Sequence, residues 1–361
     1  MPVTTLILWI FQFSLKFRNI PMVDSGDDLS ILLLFISIFL PLVKEDRAST
    51  LQKKWTYLTR SPLWYFVFLM QGLYVYFFSS LFKNDYSWNK TFTASEMALR
   101  LDFMSTAFGK YLLDYPSLLK CLTAFTFYLE MFGPCIFLAF AFMKNKFSIR
   151  VRQGVCIAFI AFHLGLSATM RLGVFPYYAI VFWMTVFPLE SEKNETAAKS
   201  PRPPFWVTLT RLPSHAYALL ILTSLTWWNL QQVDPKNKIP AWMDKFIFAN
   251  AITQNWGMFS PFPQTNNIHV AVEGVSPEYG RFDLVKESEW FETRHRLKYW
   301  MNLNSRNKAY IIPFAQYLCE QKHVTQVDFI ALNEVYNRET FATTPSKETI
   351  INYSCLPSSQ K

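Results

Sequence analysis

The chain has 361 residues, of which 51% are hydrophobic and 18% aromatic. One soluble domain of this size cannot bury so much apolar surface, so the composition favours a membrane protein. The formal net charge is +9, but the Lys and Arg residues lie in short clusters between apolar runs. No single element would fit a nucleic-acid groove, and we expect no nucleic-acid partner.

Apolar runs recur along residues 1–230, at lengths near the roughly 20 residues that a helix needs to cross a bilayer. In chain order they give about seven membrane segments: Val3–Phe17, Leu29–Val43, Pro62–Phe82, Leu118–Met143, Gly154–Met170, Val174–Leu189 and His215–Leu230. The first lacks a basic flank and a small-residue cleavage site, so we interpret it as a membrane segment rather than a signal peptide. We predict an all-α polytopic membrane helix bundle over residues 1–230.

Loop charge gives an orientation if every segment crosses. The loops after the second, fourth and sixth segments are rich in Lys and Arg, whereas the other loops carry few. The basic loops are therefore expected in the cytoplasm, including the polar, proline-containing linker Glu190–Pro204. Lys83 and the C-terminal region then lie on the periplasmic or lumenal side of a multi-pass membrane protein.

Residues 231–361 have a different pattern. Ile268–Glu273 alternates between apolar and polar residues, Gly274–Gly280 supplies turn residues, and Arg281–Val285 alternates again, which predicts a β-hairpin. A basic helix around Arg294–Glu320 and a strand-like run at Val324–Val335 complete a small α+β extramembrane domain. The basic helix is expected to present a solvated face, with contact to anionic lipid as the alternative.

The five cysteines are scattered along the chain. Cys121, Cys135 and Cys156 lie inside apolar runs, and no Cys-x-x-Cys or Cys/His spacing indicates a metal site or a disulfide framework. We expect buried bystander thiols and no metal.

Lys83 ends the third apolar run, and Trp88 follows five residues later. A lysine at a helix end commonly extends to the interface, beside a tryptophan of the aromatic belt. The alternative is a partly desolvated, neutral amine that accepts a proton as a general base. The position of Lys83 leaves both interpretations open.

Glu130 lies near the middle of the fourth segment, where a carboxyl group needs a proton, a partner or a wet cavity. We expect it to face the interior, with His163 or Arg171 as its partner. His163 has two interpretations, a helix-to-helix hydrogen bond or a proton-transfer role. His215 is expected near the cytoplasmic interface. Trp256–Pro263, in which aromatic residues stand beside prolines, is interpreted as a rigid structural turn.

Four blocks resemble the horizontally transferred transmembrane (HTTM) family, which includes the vitamin K-dependent γ-glutamyl carboxylase. They are Ser14–Asn19 with Ser25–Asp28, Tyr74–Phe78 running to Lys83 and Trp88, Phe162–Gly165 with Leu172–Pro176, and Asn255–Pro261. Together they span most of the chain from about residue 14 to residue 285. The resemblance is based on their order and spacing.

The resemblance implies a chemical role for Lys83. In the carboxylase, a lysine just after a membrane helix and five residues before a tryptophan deprotonates vitamin K hydroquinone. Lys83 and Trp88 match that spacing. The chain departs from the carboxylase in lacking the histidine that follows an early helix, and in lacking its large outer domain.

Two functional classes therefore remain open at this point. The first is a quinol-dependent enzyme, a carboxylase- or epoxidase-like lyase, with Lys83 as base and Glu130 or His163 shaping the pocket. Its cofactor would be vitamin K hydroquinone or another quinol. The second is a non-catalytic scaffold that binds membrane lipids, or a protein partner through its C-terminal domain. Transport is a third class, but no paired discontinuous segments support it.

Overall fold

A computed structural model of the chain describes residues 2–18, 25–40, 62–143, 145–188, 205–285 and 308–355. The helices are α1 (Pro2–Arg18), α2 (Ser25–Ser37), α3 (Pro62–Phe82), α4 (Tyr86–Asn89), α5 (Ala94–Leu99), α6 (Ala107–Tyr111), α7 (Pro116–Ala141), α8 (Lys146–Thr169), α9 (Phe175–Thr185), α10 (Phe205–Val233), α11 (Ala241–Ala249) and α12 (Lys308–Lys322). The strands are β1 (Asn266–Ser276), β2 (Gly280–Asp283), β3 (Gln326–Tyr336) and β4 (Thr343–Ser354). The predicted order of a mostly helical part followed by a C-terminal α+β part is confirmed.

The number of membrane crossings is where prediction and structure differ. Within the described ranges, three helices are long and apolar enough to cross a bilayer: Leu63–Phe82 of α3, α7 and α8. The predicted seven segments are not confirmed. Helix length gives a physical reason for two of them, since α2 has 13 residues and α9 has 11. At 1.5 Å per residue, each is shorter than the roughly 30 Å of hydrocarbon.

Helix α3 is the centre of the helical part. Its most apolar window is 67% buried, against 28% for α7 and 17% for α8. Gly72 permits the closest approach in this core, because a Cβ at that position would lie 1.9 Å from the ring of Phe182 on α9. The apolar outer faces of α7 and α8 are what a lipid-facing helix requires.

Helices α8 and α9 form an antiparallel hairpin. Phe159 stacks on Trp183 at a centroid distance of 4.3 Å, and His163 contacts the ring of Phe175 at 5.8 Å, so residue numbers rise on one helix as they fall on the other. Gly173 makes the turn at a φ of +67°, a conformation that glycine adopts without steric cost. The two apolar runs on either side of Gly173 are therefore separate antiparallel helices.

The C-terminal sheet is antiparallel, with the strand order β2-β1-β3-β4. The predicted hairpin is confirmed as β1 and β2, which meet at the pair Ser276–Gly280, and the run predicted at 324–335 is β3. Strand β4 was not predicted. Of the predicted basic helix, α12 is described from Lys308 onward. Residues 294–307, with the basic patch, and the linker at 190–204 lie outside the described residues.

Helix α12 covers one face of the sheet and is covalently joined to it. Ile311, Ala315 and Leu318 pack on Val327 and Phe329 of β3. A disulfide joins Cys319 of α12 to Cys355, just after β4, with a Cα–Cα distance of 5.7 Å. The prediction of buried bystander thiols was therefore wrong for this pair, because the pairing is created by the packing of α12 and not by sequence spacing. Of the free cysteines, Cys156 is buried as predicted, whereas Cys121 and Cys135 are exposed.

Polar contacts hold the sheet against the helical part. The Tyr336 hydroxyl donates to the carbonyl oxygen of Met97 at 2.7 Å, and the backbone N–H of Asp102 donates to Asn267 Oδ1 at 2.7 Å. Arg338, just after β3, forms an ion pair with Asp85, the N-cap residue of α4. Burial raises the pKa of Asp85, but hydrogen bonds from Arg338 and Ser87 outweigh it and hold the pKa below its ordinary value.

Asp85→Asn should lower the melting temperature in detergent at neutral pH, because it removes the charge paired with Arg338. Since the pKa of Asp85 is depressed in the folded state, the ion pair stabilises the fold above the unfolded pKa of about 3.9. That stability is lost as the pH falls through the folded pKa, so the two proteins should converge in acid. Asp114→Asn, at an exposed site, is the control, and a pH-independent difference for Asp85→Asn would contradict the prediction.

Cys319→Ser should destabilise the C-terminal domain by about 2–4 kcal/mol, because the bridge closes a loop with a sequence separation of 36. The measurement is thermal unfolding with and without a reducing agent, which should have no further effect on the variant. Cys135→Ser, at an exposed free thiol, is the matched control and should unfold like the unmodified protein.

Candidate functional site

Lys83 follows the last residue of α3, and its side chain folds back along the helix. Its Nζ donates to Ser79 Oγ, four residues earlier, at 3.0 Å, and lies 4.7 Å from the centroid of the Trp88 ring. The residue is 3% exposed. Lys83 therefore does not extend into water, as a lysine at a membrane interface would.

The partner of Lys83 is Glu130, in the middle of α7. The Lys83 ammonium and the Glu130 carboxylate form a direct ion pair, and Glu130 is 6% exposed. The expectation that Glu130 faces the interior is confirmed. Its partner, however, is Lys83, whereas the sequence suggested His163 or Arg171. In an apolar environment, either charge alone would carry a large free-energy cost, because it would be buried without a partner.

A second polar chain lies in the same region. Trp183 Nε1 donates to the Tyr76 hydroxyl at 2.8 Å, and the Tyr76 hydroxyl lies 2.8 Å from His163 Nε2. Indole N–H can only donate, so the phenol oxygen accepts from Trp183, and the phenol O–H donates to His163 Nε2. The other neutral tautomer, with the proton on Nε2, would leave both the Tyr76 O–H and the His163 Nδ1 lone pair without a hydrogen bond. We therefore assign His163 as a neutral imidazole with its proton on Nδ1.

His163 Nδ1 is buried and has no hydrogen-bond partner among the described residues. A buried donor without an acceptor costs about 1–3 kcal/mol. His163 is 0% exposed, so bulk water does not satisfy it. The helix-to-helix hydrogen bond expected for His163 is present through Nε2, and a second polar atom of the same ring remains available.

The ion pair and the imidazole line one cavity of about 70 Å³. At this volume it has room for a few waters, and it is smaller than the roughly 150 Å³ cavity that holds a benzene ring. Its wall is mostly apolar and is built from α3, α4, α5, α7, α8, α9 and the segment after α11: Val75, Tyr76, Ser79, Lys83, Trp88, Ser95, Ala98, Thr126, Glu130, Phe162, His163, Leu166, Met170, Leu172, Phe175, Trp256, Met258 and Phe259. A few polar groups in an apolar wall are typical of a ligand site.

The structure thus brings together the three predicted site residues, Lys83, Glu130 and His163. Arg171 is exposed and His215 is half-buried on α10, and neither lines the cavity. In the described residues, no three His, Cys, Asp or Glu side chains form a metal-binding group. The absence of a metal from the working protein stays a prediction.

Sequence reasoning missed the part that the Trp256–Pro263 segment plays in the cavity. Trp256, Met258 and Phe259 are wall residues, and the Phe259 carbonyl oxygen accepts from Trp88 Nε1 at 3.1 Å. This segment is packed, as the sequence predicted, and it also closes the site. The signal that could have indicated this role is the aromatic content of the segment, which suits both a packed turn and a ligand wall.

The C-terminal domain supports the site through Trp88. Arg338 binds Asp85 at the start of α4, and it lies 4.5 Å from the Tyr86 ring centroid and 3.9 Å from that of Phe262. Such cation–π contacts add to the ion pair. Because Trp88 lies on α4, the position of the ring against Lys83 depends on a residue of the sheet domain.

The chain matches no protein-family model, no curated protein and no solved structure. Its relationship to the HTTM family therefore stays a proposal based on the sequence blocks.

The buried pair makes a prediction that a double-mutant cycle can test. Glu130→Leu should destabilise the protein by about 3–5 kcal/mol, because it leaves the buried Lys83 charge uncompensated, and Lys83→Met should act similarly on Glu130. The double variant should be more stable than either single variant. Thermal unfolding in detergent provides the measurement, and simple additivity would mean that the two side chains do not interact.

An exposed pair serves as the control for this cycle. Lys110 pairs with Asp102 at 2.5 Å, with side chains 53% and 35% exposed. Lys110→Met should cost about 0–1 kcal/mol, because water screens that pair.

Proposed function

We propose that this chain is a membrane enzyme in which Lys83 acts as a general base on a quinol bound in the cavity. The observation that carries the proposal is the buried Lys83–Glu130 pair in the wall of an apolar cavity that His163 shares. Burying a lysine and a carboxylate beside a cavity lowers the stability of the fold. Such groups are more frequent at functional sites than elsewhere.

The pair can supply a neutral amine. When Lys83 transfers a proton to Glu130, its amine has a free lone pair and can accept a proton from a substrate hydroxyl. The ammonium that forms lies beside the Trp88 ring, whose face stabilises a cation. Glu130 positions this base and holds the proton that Lys83 gives up, and the anion formed from the substrate balances the new ammonium.

His163 supplies the second contact to the substrate. The unpartnered Nδ1–H can donate to an oxygen that becomes negative as its proton leaves, in the manner of an oxyanion donor. Tyr76 and Trp183 hold the imidazole in the tautomer that does this. A ligand with two oxygens, one near Lys83 and one near His163, would satisfy both polar parts of the wall.

A quinol headgroup fits these requirements, because it combines a flat apolar ring with hydroxyl groups. At about 70 Å³ the cavity is smaller than a ring requires, so this proposal needs the wall to widen when the quinol binds. The wall includes the aromatic side chains of Phe162, Phe175 and Trp256, which match the flat apolar ring. In a carboxylase- or epoxidase-like reaction the deprotonated quinol would be oxidised by dioxygen, which is the co-reactant that this proposal requires. The HTTM resemblance, which places Lys83 and Trp88 at the positions of the base and its tryptophan, supports the same choice.

The membrane placement proposed with this function is multi-pass, with the C-terminal domain on the periplasmic or lumenal side. The Lys and Arg bias of the loops supports it. The Cys319–Cys355 disulfide supports it independently, because disulfides persist in oxidising compartments and are rare in the cytosol. Lys83 would then lie near the outer end of α3.

The alternative is a non-catalytic scaffold that binds lipid or a protein partner. Strand β4 favours it, since it is an edge strand with mostly exposed side chains, and such edges can pair with another chain. In this alternative Lys83 and Glu130 would serve stability alone.

The experiment measures oxidation of reduced vitamin K, or of a related quinol, by dioxygen in the presence of the purified full-length chain in detergent or lipid. Lys83→Ala should reduce the rate by at least about 100-fold, in line with the loss of general base catalysis. Lys90→Ala changes an exposed lysine just after α4 and is the matched control. Activity that survives Lys83→Ala in a folded protein would overturn the role of Lys83.

A mass measurement of the lipids that co-purify with the protein separates the two functional classes. The enzyme should retain a quinone or quinol. Phospholipid as the sole retained species, together with no quinol oxidation by the unmodified protein, would favour the scaffold.

A further inference from the structure

An open groove lies between α3 and α10, with a volume of about 770 Å³. Phe66, Met70 and Tyr74 form one wall, at the four-residue spacing that puts side chains on one face of a helix. The opposite wall comes from α10 and consists of Leu222, Thr223, Thr226, Trp227 and Leu230. Both walls are therefore regular helix faces, mostly apolar and accessible from the side.

The two helices run parallel, which gives the groove a direction. Trp64 Nε1 donates to Ser214 Oγ at 2.9 Å near the start of α3, and Tyr74 bonds Thr226 Oγ1 at 2.7 Å further along. Residue numbers rise together on the two helices. From Phe66 to Tyr74 the groove extends about 12 Å at 1.5 Å per residue, close to the roughly 15 Å of hydrocarbon in one leaflet.

Lysine residues stand at the end of the groove that follows α10. Lys236, Asn237 and Lys238 line it there, and both lysines are exposed. The Asn237 carbonyl oxygen accepts from Trp227 Nε1 at 3.2 Å, which holds this short loop against the groove. Asp234 is the nearby acid, and its carboxylate accepts from the backbone N–H of Lys236 at 3.0 Å. The loop thus carries a net charge of +1 from two lysines and one aspartate.

We propose that this groove binds one anionic phospholipid, with an acyl chain between α3 and α10 and the phosphate at Lys236 and Lys238. The apolar walls match an acyl chain, and the lysines just after α10 match an anionic headgroup. A phospholipid has its charge at one end and its acyl chains at the other, so it is complementary to an apolar groove with two lysines at one end.

The groove and the cavity lie on different sides of α3. Tyr74 faces the groove and Tyr76 faces the cavity, and two residues along a helix correspond to a rotation of about 200°. The lipid proposal therefore does not rest on quinol chemistry at Lys83. It requires that α3 and α10 face a bilayer.

The test uses the full chain in nanodiscs that contain phosphatidylcholine with a minor fraction of phosphatidylglycerol, read by native mass spectrometry. The unmodified protein should retain phosphatidylglycerol in preference to phosphatidylcholine. Lys236→Ala and Lys238→Ala should each weaken that retention about fivefold, the effect of about one surface charge. Lys245→Ala, an exposed lysine on α11 that does not line the groove, should leave it unchanged.

A second variant tests the apolar part. Thr223 is exposed in the groove wall, so Thr223→Trp should fill the groove without disturbing the core and should abolish retention of both phospholipids. Equal retention of the two phospholipids by the unmodified protein would overturn the proposal. So would a loss shared by Lys245→Ala, retention that survives Thr223→Trp, or occupation of the groove by a neutral prenyl lipid or a second copy of this chain.

Discussion

The ion pair between Lys83 and Glu130 is the interaction on which the rest of the structure depends. It joins the end of α3 to the middle of α7, across a sequence separation of 47, in a region from which water is almost excluded. Neither charge can remain there alone at a tolerable free-energy cost, because burying an ion without a partner costs several kcal/mol. The pair therefore fixes how deep the end of α3 lies against α7, and the cavity wall is built around it.

The C-terminal domain affects the Lys83–Glu130 pair indirectly, through α4 and Trp88. Arg338 holds Asp85, Asp85 caps α4, and α4 places the Trp88 ring beside the Lys83 ammonium. The Phe259 carbonyl oxygen fixes the other side of the indole. A small sheet domain joined to the helices in this way has a structural role at the cavity, which explains why the helical part alone would leave the wall incomplete.

Helix α3 separates two surfaces of different chemistry. On one face, Tyr76, Ser79 and Lys83 line an enclosed cavity. Lys83 is paired with Glu130 there, whereas His163 Nδ1 has no partner among the described residues. The opposite face carries Phe66, Met70 and Tyr74 into an open groove with lysines at its end. A single helix can do this because side chains two residues apart project in nearly opposite directions. The high burial of α3 follows from having neighbours on both sides.

The sequence by itself determined what depends on local pattern. Long apolar runs gave α3, α7 and α8, alternation gave β1 and β2, and the cost of a carboxylate at membrane depth gave the inward orientation of Glu130. The sequence could not give the number of membrane crossings, because the length of an apolar run does not fix the length of the helix within it. The run Val174–Leu189, for example, contains α9, which has only 11 residues. The sequence did not reveal β4, because the first seven residues of this strand are polar or proline and are exposed, so the usual alternation is missing there.

Only the tertiary structure decided which distant groups meet. Lys83 and Glu130 were both candidates, but their pairing depends on the packing of α3 against α7. Cys319 and Cys355 are joined because α12 lies on the sheet, and Trp256 and Phe259 enter the cavity wall because the segment after α11 folds back. Periodicity reports the face of an element that is buried, whereas the partner on the other side is set by packing between elements far apart in the chain.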